Sequence, residues 1–185
     1  VIEKAHEHGI KVAALAGAPK HAVSHVSNGV DIIVAQGYEA GGHTGEVASM
    51  VLTPEIVDAV GPDVPVLGAG GIGRGRQVAA SLALGAQGVW TGSVWLTTAE
   101  YKNLNTNAAM TEAFLRASSA DTVRTRIYTG KPARLLKTKW TEAWEDEDAP
   151  SPLPVPLQNL LVADAHNQLN AANNPDAISM PVGQI

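Results

Sequence analysis

The feature that most constrains this chain is an alternation. A short, continuous apolar run is followed by a turn and a helix-like segment, and the pattern occurs four times in the first half of the sequence. The apolar runs are residues 11–15 (KVAAL), 30–36 (VDIIVAQ), 64–67 (VPVL) and the start of 88–96 (GVWTGSVWL). Between them lie helical segments over residues 19–27, from Thr53-Pro54-Glu55 onward, and over 74–84. Residues 1–8 read as the end of an earlier helix, closed by Gly9. Thr53 is expected as the N-cap of its helix, with Pro54 at the first helical position. Strands separated by helices must run parallel, because the crossover returns the chain to the same end of the sheet. Runs that are apolar throughout, rather than alternating, fit strands covered on both faces. An open doubly wound sheet and a closed barrel both satisfy this pattern.

The alternation stops after Leu96. A helix is expected over residues 111–118, and residues 126–145 form a mixed basic and aromatic stretch containing Thr129-Gly130-Lys131-Pro132. The acidic run 142–148 reads as a solvated loop, residues 149–156 hold four prolines, and a helix is expected from Leu157 to about Ala171. At 185 residues, 45% hydrophobic and 17% charged, the chain has the composition of an ordinary globular protein with a sizeable core. The net charge of −5 and the absence of a basic stripe argue against nucleic acid or an anionic membrane as partner. No apolar stretch is long enough to span a bilayer. With no cysteine, disulfides, thiolate metal sites and cysteine nucleophiles are excluded, and a cytoplasmic location is compatible. The chain begins with Val1 and inside a helical pattern, so truncation at both ends is expected.

The chemistry concentrates in three glycine-rich loops. Residues 68–73 (GAGGIG) formally match the dinucleotide fingerprint between a strand and a helix. A Rossmann site also needs an acidic residue about 20 positions later for the ribose, whereas that region reads Trp90-Thr91-Gly92-Ser93. A phosphate site fits better. Gly70-Gly71 follows one apolar run and Gly92-Ser93 the next, and paired loops of this kind bind phosphate in (β/α) barrels. Glycines let backbone N–H groups approach phosphate oxygens, the following helix start favours negative charge, and Ser93 adds a hydroxyl donor. The third loop, residues 36–45 (QGYEAGGHTG), sets His43 between glycines at the end of an apolar run. An imidazole without packing neighbours is free to meet a ligand, and histidine is the side chain most often used as a general base. The other histidines, His6, His8, His21, His25 and His166, are expected on helix surfaces. His21 and His25 are four apart, but no third ligand joins them, so no metal site is expected.

At these residues the sequence resembles the nitronate monooxygenase, or 2-nitropropane dioxygenase-like, family. The resemblance rests on residues 35–45 (AQGYEAGGHTG), 66–72 (VLGAGGI) and 84–96 (LGAQGVWTGSVWL), and continues through 130–134 (GKPAR) and 156–159 (PLQN). It implies an α/β fold, a (β/α)8 TIM barrel of which only the C-terminal half is present, strands five to eight and the segment after them. Residues 1–110 would be that half barrel and 111–185 a helical and irregular extension packed on it. It implies FMN as cofactor, held by Gln36, Gly41, Gly42, Gly70, Gly71, Trp90, Thr91, Gly92 and Ser93, with His43 catalytic. The family more often carries Gly-Thr-Arg-Phe where this chain has Gly92-Ser93-Val94-Trp95, which keeps the hydroxyl and loses an arginine.

The implied activity is oxidation of alkyl nitronates with O2, on a small-molecule substrate, with His43 as base. An NAD(P)H-dependent FMN reductase of the same superfamily, acting on enoyl groups or quinones, is the alternative, and a non-enzymatic phosphate-binding barrel is a third reading. An IMP dehydrogenase-like barrel would need a cysteine nucleophile that the chain lacks. Half a barrel would expose sheet edges and apolar surface, so the chain alone is expected to be inactive.

Overall fold

A computed structural model of the chain describes residues 1–104 and 108–185. Its elements are α1 (Ile2–Glu7), β1 (Ala13–Ala16), α2 (Pro19–Ser27), β2 (Ile32–Gln36), β3 (Gly42–His43), α3 (Ser49–Val60), β4 (Val66–Ala69), α4 (Gly75–Ala83) and β5 (Gly88–Trp90). These are followed by α5 (Ala99–Leu104), α6 (Ala108–Arg116), β6 (Thr122–Thr125), β7 (Ala133–Leu136), α7 (Lys139–Glu145) and α8 (Leu157–Ala171). The chain divides into two compact units, one of Val1–Ala40 with Thr44–Thr91 and one of Gly41–His43 with Gly92–Ile185.

The first unit is an α/β layer. Its sheet has the order β1-β2-β4-β5, and every neighbouring pair is parallel. The four apolar runs therefore lie side by side in the order the sequence presents them. Ala16, Ala35 and Gly68 share one row and Ile33 and Val66 another, all on one face. That face packs on Ala22 of α2 and on Leu52 and Ile56 of α3, and Ile33, Leu52 and Ile56 are fully buried. Burying side chains of this size contributes about 1.5–3 kcal/mol each, which fixes the helices to the sheet. On the opposite face, Leu15 of β1 and Trp90 of β5 are half exposed.

Helix α3 corrects the sequence-based expectation. It begins at Ser49 rather than at Thr53, and Pro54 lies inside it. Thr53 is buried instead of capping. The missing local cap is replaced from a distance. The carboxylate of Glu39 accepts hydrogen bonds from the Ser49 N–H at 2.9 Å and the Ser49 hydroxyl at 2.8 Å. A negative charge there also complements the helix dipole.

The second unit is built differently. Its sheet has the order β3-β7-β6 with antiparallel pairs, so the two residues of β3 pair with β7 (Gly42↔Arg134, His43↔Ala133). All four residues of β7 are buried. One cluster joins Leu136 to Ile178, Met180 and Val182, with Met110 and Phe114 of α6 packed against it. Another joins Ile127, Tyr128 and Leu135 to Trp140 and Trp144 of α7. Helix α8 is pinned by the buried Gln158, which donates to the Ile127 carbonyl at 2.7 Å and accepts from the Leu153 N–H at 2.9 Å.

Three further expectations are corrected in this unit. The acidic run is helical as far as Glu145, because Thr138 caps α7 through the Thr141 N–H. Helix α6 begins at Ala108 rather than at residue 111. His166 is not a surface residue, since its ring packs on Tyr128 with centroids 4.8 Å apart and its Nε2 is buried without a hydrogen-bond partner among the described residues.

Candidate active site

In the first unit the register brings the sequence-selected residues to one edge. Gln36, Ala69 and Trp90 lie side by side as the last residues of β2, β4 and β5. Gly70-Gly71 and Thr91 therefore leave the sheet at the same C-terminal edge, where ligand sites of parallel sheets form. The turn after β4 requires glycine. Gly70 has φ +102° and Gly71 φ +71°, a region that side chains other than glycine's rarely adopt. Its shape is held by α4, because the Gln77 amide donates to the Gly71 carbonyl at 2.5 Å and accepts from the Gly73 N–H at 2.9 Å. The Ser49 hydroxyl lies 3.0 Å from the Gly70 carbonyl and 3.1 Å from that of Ala69. Glu39, Ser49 and Gln77 are thus the braces of the loops, and none was singled out from sequence. Each makes its bonds across ten or more residues or back into a turn whose shape the sequence leaves open.

In the second unit the remaining candidates come together. Gly41 packs on the backbone of Val182 and Gly183, so closely that a Cβ would stand 2.7 Å from the Gly183 nitrogen. The Gly183 N–H in turn donates to the Ser93 hydroxyl at 2.8 Å. Gly41 and Ser93, more than fifty residues apart in the chain, thus meet at Gly183. That role of Gly183 has no local signal in the sequence. Gly92 is different from Gly41. A Cβ there would meet no atom of the described residues within 4 Å, so their packing does not demand glycine at this position.

Gly42 has an open surrounding too, and β3 carries His43 beyond it. The imidazole is exposed, and its Nε2 is 2.8 Å from the Thr129 hydroxyl. Among the described residues, no group of histidine, cysteine, aspartate and glutamate could hold a metal ion. No described helix is long and apolar enough to cross a membrane. In the second unit the imidazole of His43 is exposed beside small residues; in the first, the glycine turn after β4 suits an anionic ligand.

The profile of the nitronate monooxygenase family matches residues 1–185. The chain belongs to that family. A Mycobacterium tuberculosis protein named as a monooxygenase is 60% identical over 178 residues, covering 96% of this chain and 46% of its own. A Staphylococcus saprophyticus protein named as a nitronate monooxygenase is 36% identical, covering 92% of this chain and 51% of its own. Among solved structures, nitroalkane oxidase from Streptomyces ansochromogenes matches with TM-score 0.84 at 29% identity, over 99% of this chain and 54% of its own. FabK from Thermotoga maritima matches with TM-score 0.82 at 31% identity, over 99% of this chain and 56% of its own. This nitronate monooxygenase family chain spans about half the length of the relatives it matches.

Proposed function

We propose that this chain carries the C-terminal half of a (β/α)8 barrel flavoenzyme that oxidises alkyl nitronates with O2. On this reading residues 1–110 supply four βα units and residues 111–185 an extension packed on them. The sequential parallel order of β1, β2, β4 and β5 supports a barrel half, because a doubly wound sheet would reverse its strand order. Membership of the nitronate monooxygenase family supports the oxidoreductase activity.

The residues present fit FMN. Open space at Gly92 and the left-handed turn at Gly70-Gly71 are what a closely approaching phosphate needs. Gln36, Gly41, Gly42, Gly70, Gly71, Trp90, Thr91, Gly92 and Ser93 would hold it. The flavin supplies the electron-accepting chemistry, and the chain supplies orientation and proton handling. His43 takes the α-proton of a nitroalkane, or stabilises the nitronate anion when it is already formed.

The single observation that carries the reading is His43 itself: a strand-borne histidine, exposed among glycines, in the loop that carries the family motif. The test is steady-state kinetics of the His43→Ala full-length protein on a neutral nitroalkane and on its preformed nitronate. Turnover of the nitroalkane should fall by roughly 10²–10⁴-fold. The nitronate should suffer less, since it needs no deprotonation, and the visible absorption of bound flavin should be unchanged. Unchanged kcat/KM on the nitroalkane removes His43 from the mechanism. Consumption of NAD(P)H without any nitronate favours an FMN reductase of the same superfamily instead.

A further inference from the structure

We propose that Thr129 is a positioning residue for His43: its hydroxyl holds the imidazole as the Nε2–H tautomer and leaves Nδ1 as the nitrogen that takes the substrate proton. The inference rests on the reading of His43 as the proton-transferring group.

The geometry around one oxygen carries it. Thr129 Oγ1 lies 2.8 Å from His43 Nε2, 3.2 Å from the Lys131 nitrogen and 3.4 Å from the Lys131 carbonyl oxygen. A hydroxyl has one proton to give and two lone pairs to receive. The Lys131 N–H occupies one lone pair. If the hydroxyl proton went to Nε2, its second lone pair would face the lone pairs of the Lys131 carbonyl. If it goes to the carbonyl, the second lone pair accepts Nε2–H and all three contacts are satisfied. Only the second arrangement leaves no two acceptors facing each other.

The same choice suits a base. When Nδ1 takes a proton, Nε2 keeps its own and goes on donating to Thr129, so the ring does not turn during the transfer. In the opposite tautomer the incoming proton would land on Nε2 and the hydroxyl would have to swing away. A pre-set orientation of this kind is what proton transfer gains from a rigid partner.

Both ends of the histidine are referenced to one hairpin. Its backbone pairs with Ala133 of β7, and its ring meets Thr129 in the connection between β6 and β7. That connection is closed by the Gly130 N–H donating to the Arg126 carbonyl at 2.8 Å. Thr129 stands 86 residues from His43 in the chain, which hides the pairing from any local pattern.

The experiment is ¹⁵N NMR of the full-length flavin-loaded protein labelled in histidine, with the His43 signals assigned by their loss in His43→Gln. The expected result is a pyrrole-type Nε2 and a pyridine-type Nδ1 at neutral pH. A pyridine-type Nε2 overturns the proposal. Thr129→Val removes the hydroxyl while keeping the shape. It should mix the two tautomers and lower kcat on the neutral nitroalkane by about 5–10-fold, the factor a single lost hydrogen bond corresponds to. KM should hold steady, and Thr129→Ser should restore both the tautomer and the rate. A Thr129→Val protein that keeps the pure tautomer, or a Thr129→Ser protein that restores neither, overturns it as well. A wild-type Nε2–H tautomer with unchanged turnover in His43→Ala overturns the proton-transfer reading of the site, and leaves the tautomer assignment standing.

Discussion

The two compact units of this chain solve the same problem by opposite routes. In the first, neighbours in sequence are neighbours in space. Each parallel strand lies beside the next, and helices α2 and α3 pack on the strands they join. In the second, the partners come from far apart. β3 pairs with a strand ninety residues later, and the run through Ile178, Met180 and Val182 closes the core beneath β7. His43, the residue proposed for proton transfer, belongs to the second kind of unit, while the glycine turn after β4 belongs to the first. A repetitive scaffold is cheap to specify locally. A side chain that must be aimed is fixed by contacts of long range.

The largest expected effect tests whether the units are as separate in energy as in construction. Leu52 is fully buried between α3 and the parallel sheet. Leu52→Ala should destabilise the first unit by about 2–5 kcal/mol, the usual range for a core truncation that leaves a cavity. Hydrogen exchange would read it, with protection falling in β2 and β4. If β7 lost protection by the same factor, the two units would unfold together and the contrast would be one of architecture alone. Leu160→Ala on α8 is the control, because its side chain is largely exposed and its removal should change stability by no more than about 0.5 kcal/mol.

A smaller effect separates two glycines that look alike in sequence. Gly41→Ala would drive a Cβ into the backbone of Val182 and Gly183 and should cost about 1–3 kcal/mol, as overpacking does. Gly92→Ala meets no described atom and should leave the melting temperature nearly unchanged. Flavin retention should nevertheless fall in Gly92→Ala, since the space at Gly92 is kept for a ligand on the proposed reading. Thermal unfolding and flavin content of the two full-length variants decide it. A Gly92→Ala protein with its full complement of FMN would sink the phosphate role of that position.

The contrast also explains what the sequence disclosed. The four parallel strands were legible because each is a continuous apolar run bounded by glycine or proline. Helices α2 and α8 begin and end at the residues their patterns indicated. The start of α3 was not legible, because its cap is the carboxylate of Glu39, ten residues upstream, and Thr53-Pro54 imitates a start. β6 and β7 escaped because threonine and arginine interrupt them, and their apolar partners are remote. Of the candidate site, the glycine turns and His43 stood out because their glycine-rich loops follow the apolar runs. Thr129, Gln77 and Gly183 did not, since each acts through a bond whose other end the sequence does not mark.

The smallest expected effect is a difference in how the units answer acid. In the second unit, burial against Tyr128 holds the His166 pKa below its ordinary 6.5, and burial pushes the Tyr128 phenol up to about 12. The folded state therefore favours neutral His166, while the unfolded chain takes up a proton near the ordinary value. The stability this provides is complete above pH 6.5 and is lost as the pH falls through 6.5 toward the lowered folded pKa. In the first unit, the Lys11 ammonium, the Val12 N–H and His6 hold Asp31 well below its ordinary 3.8. That contribution is intact above pH 3.8 and is lost only below it. Lowering the pH from about 8 to about 5, across the range where histidine titrates, should loosen α8 before it touches α1. Hydrogen exchange along the two helices would show the order. His166→Phe keeps a ring against Tyr128 and cannot be protonated, so it should flatten the response of α8 and leave that of α1 unchanged. If α8 in His166→Phe still loosened by as much between those two pH values, the titrating group would lie elsewhere and the two units would not differ for the reason given.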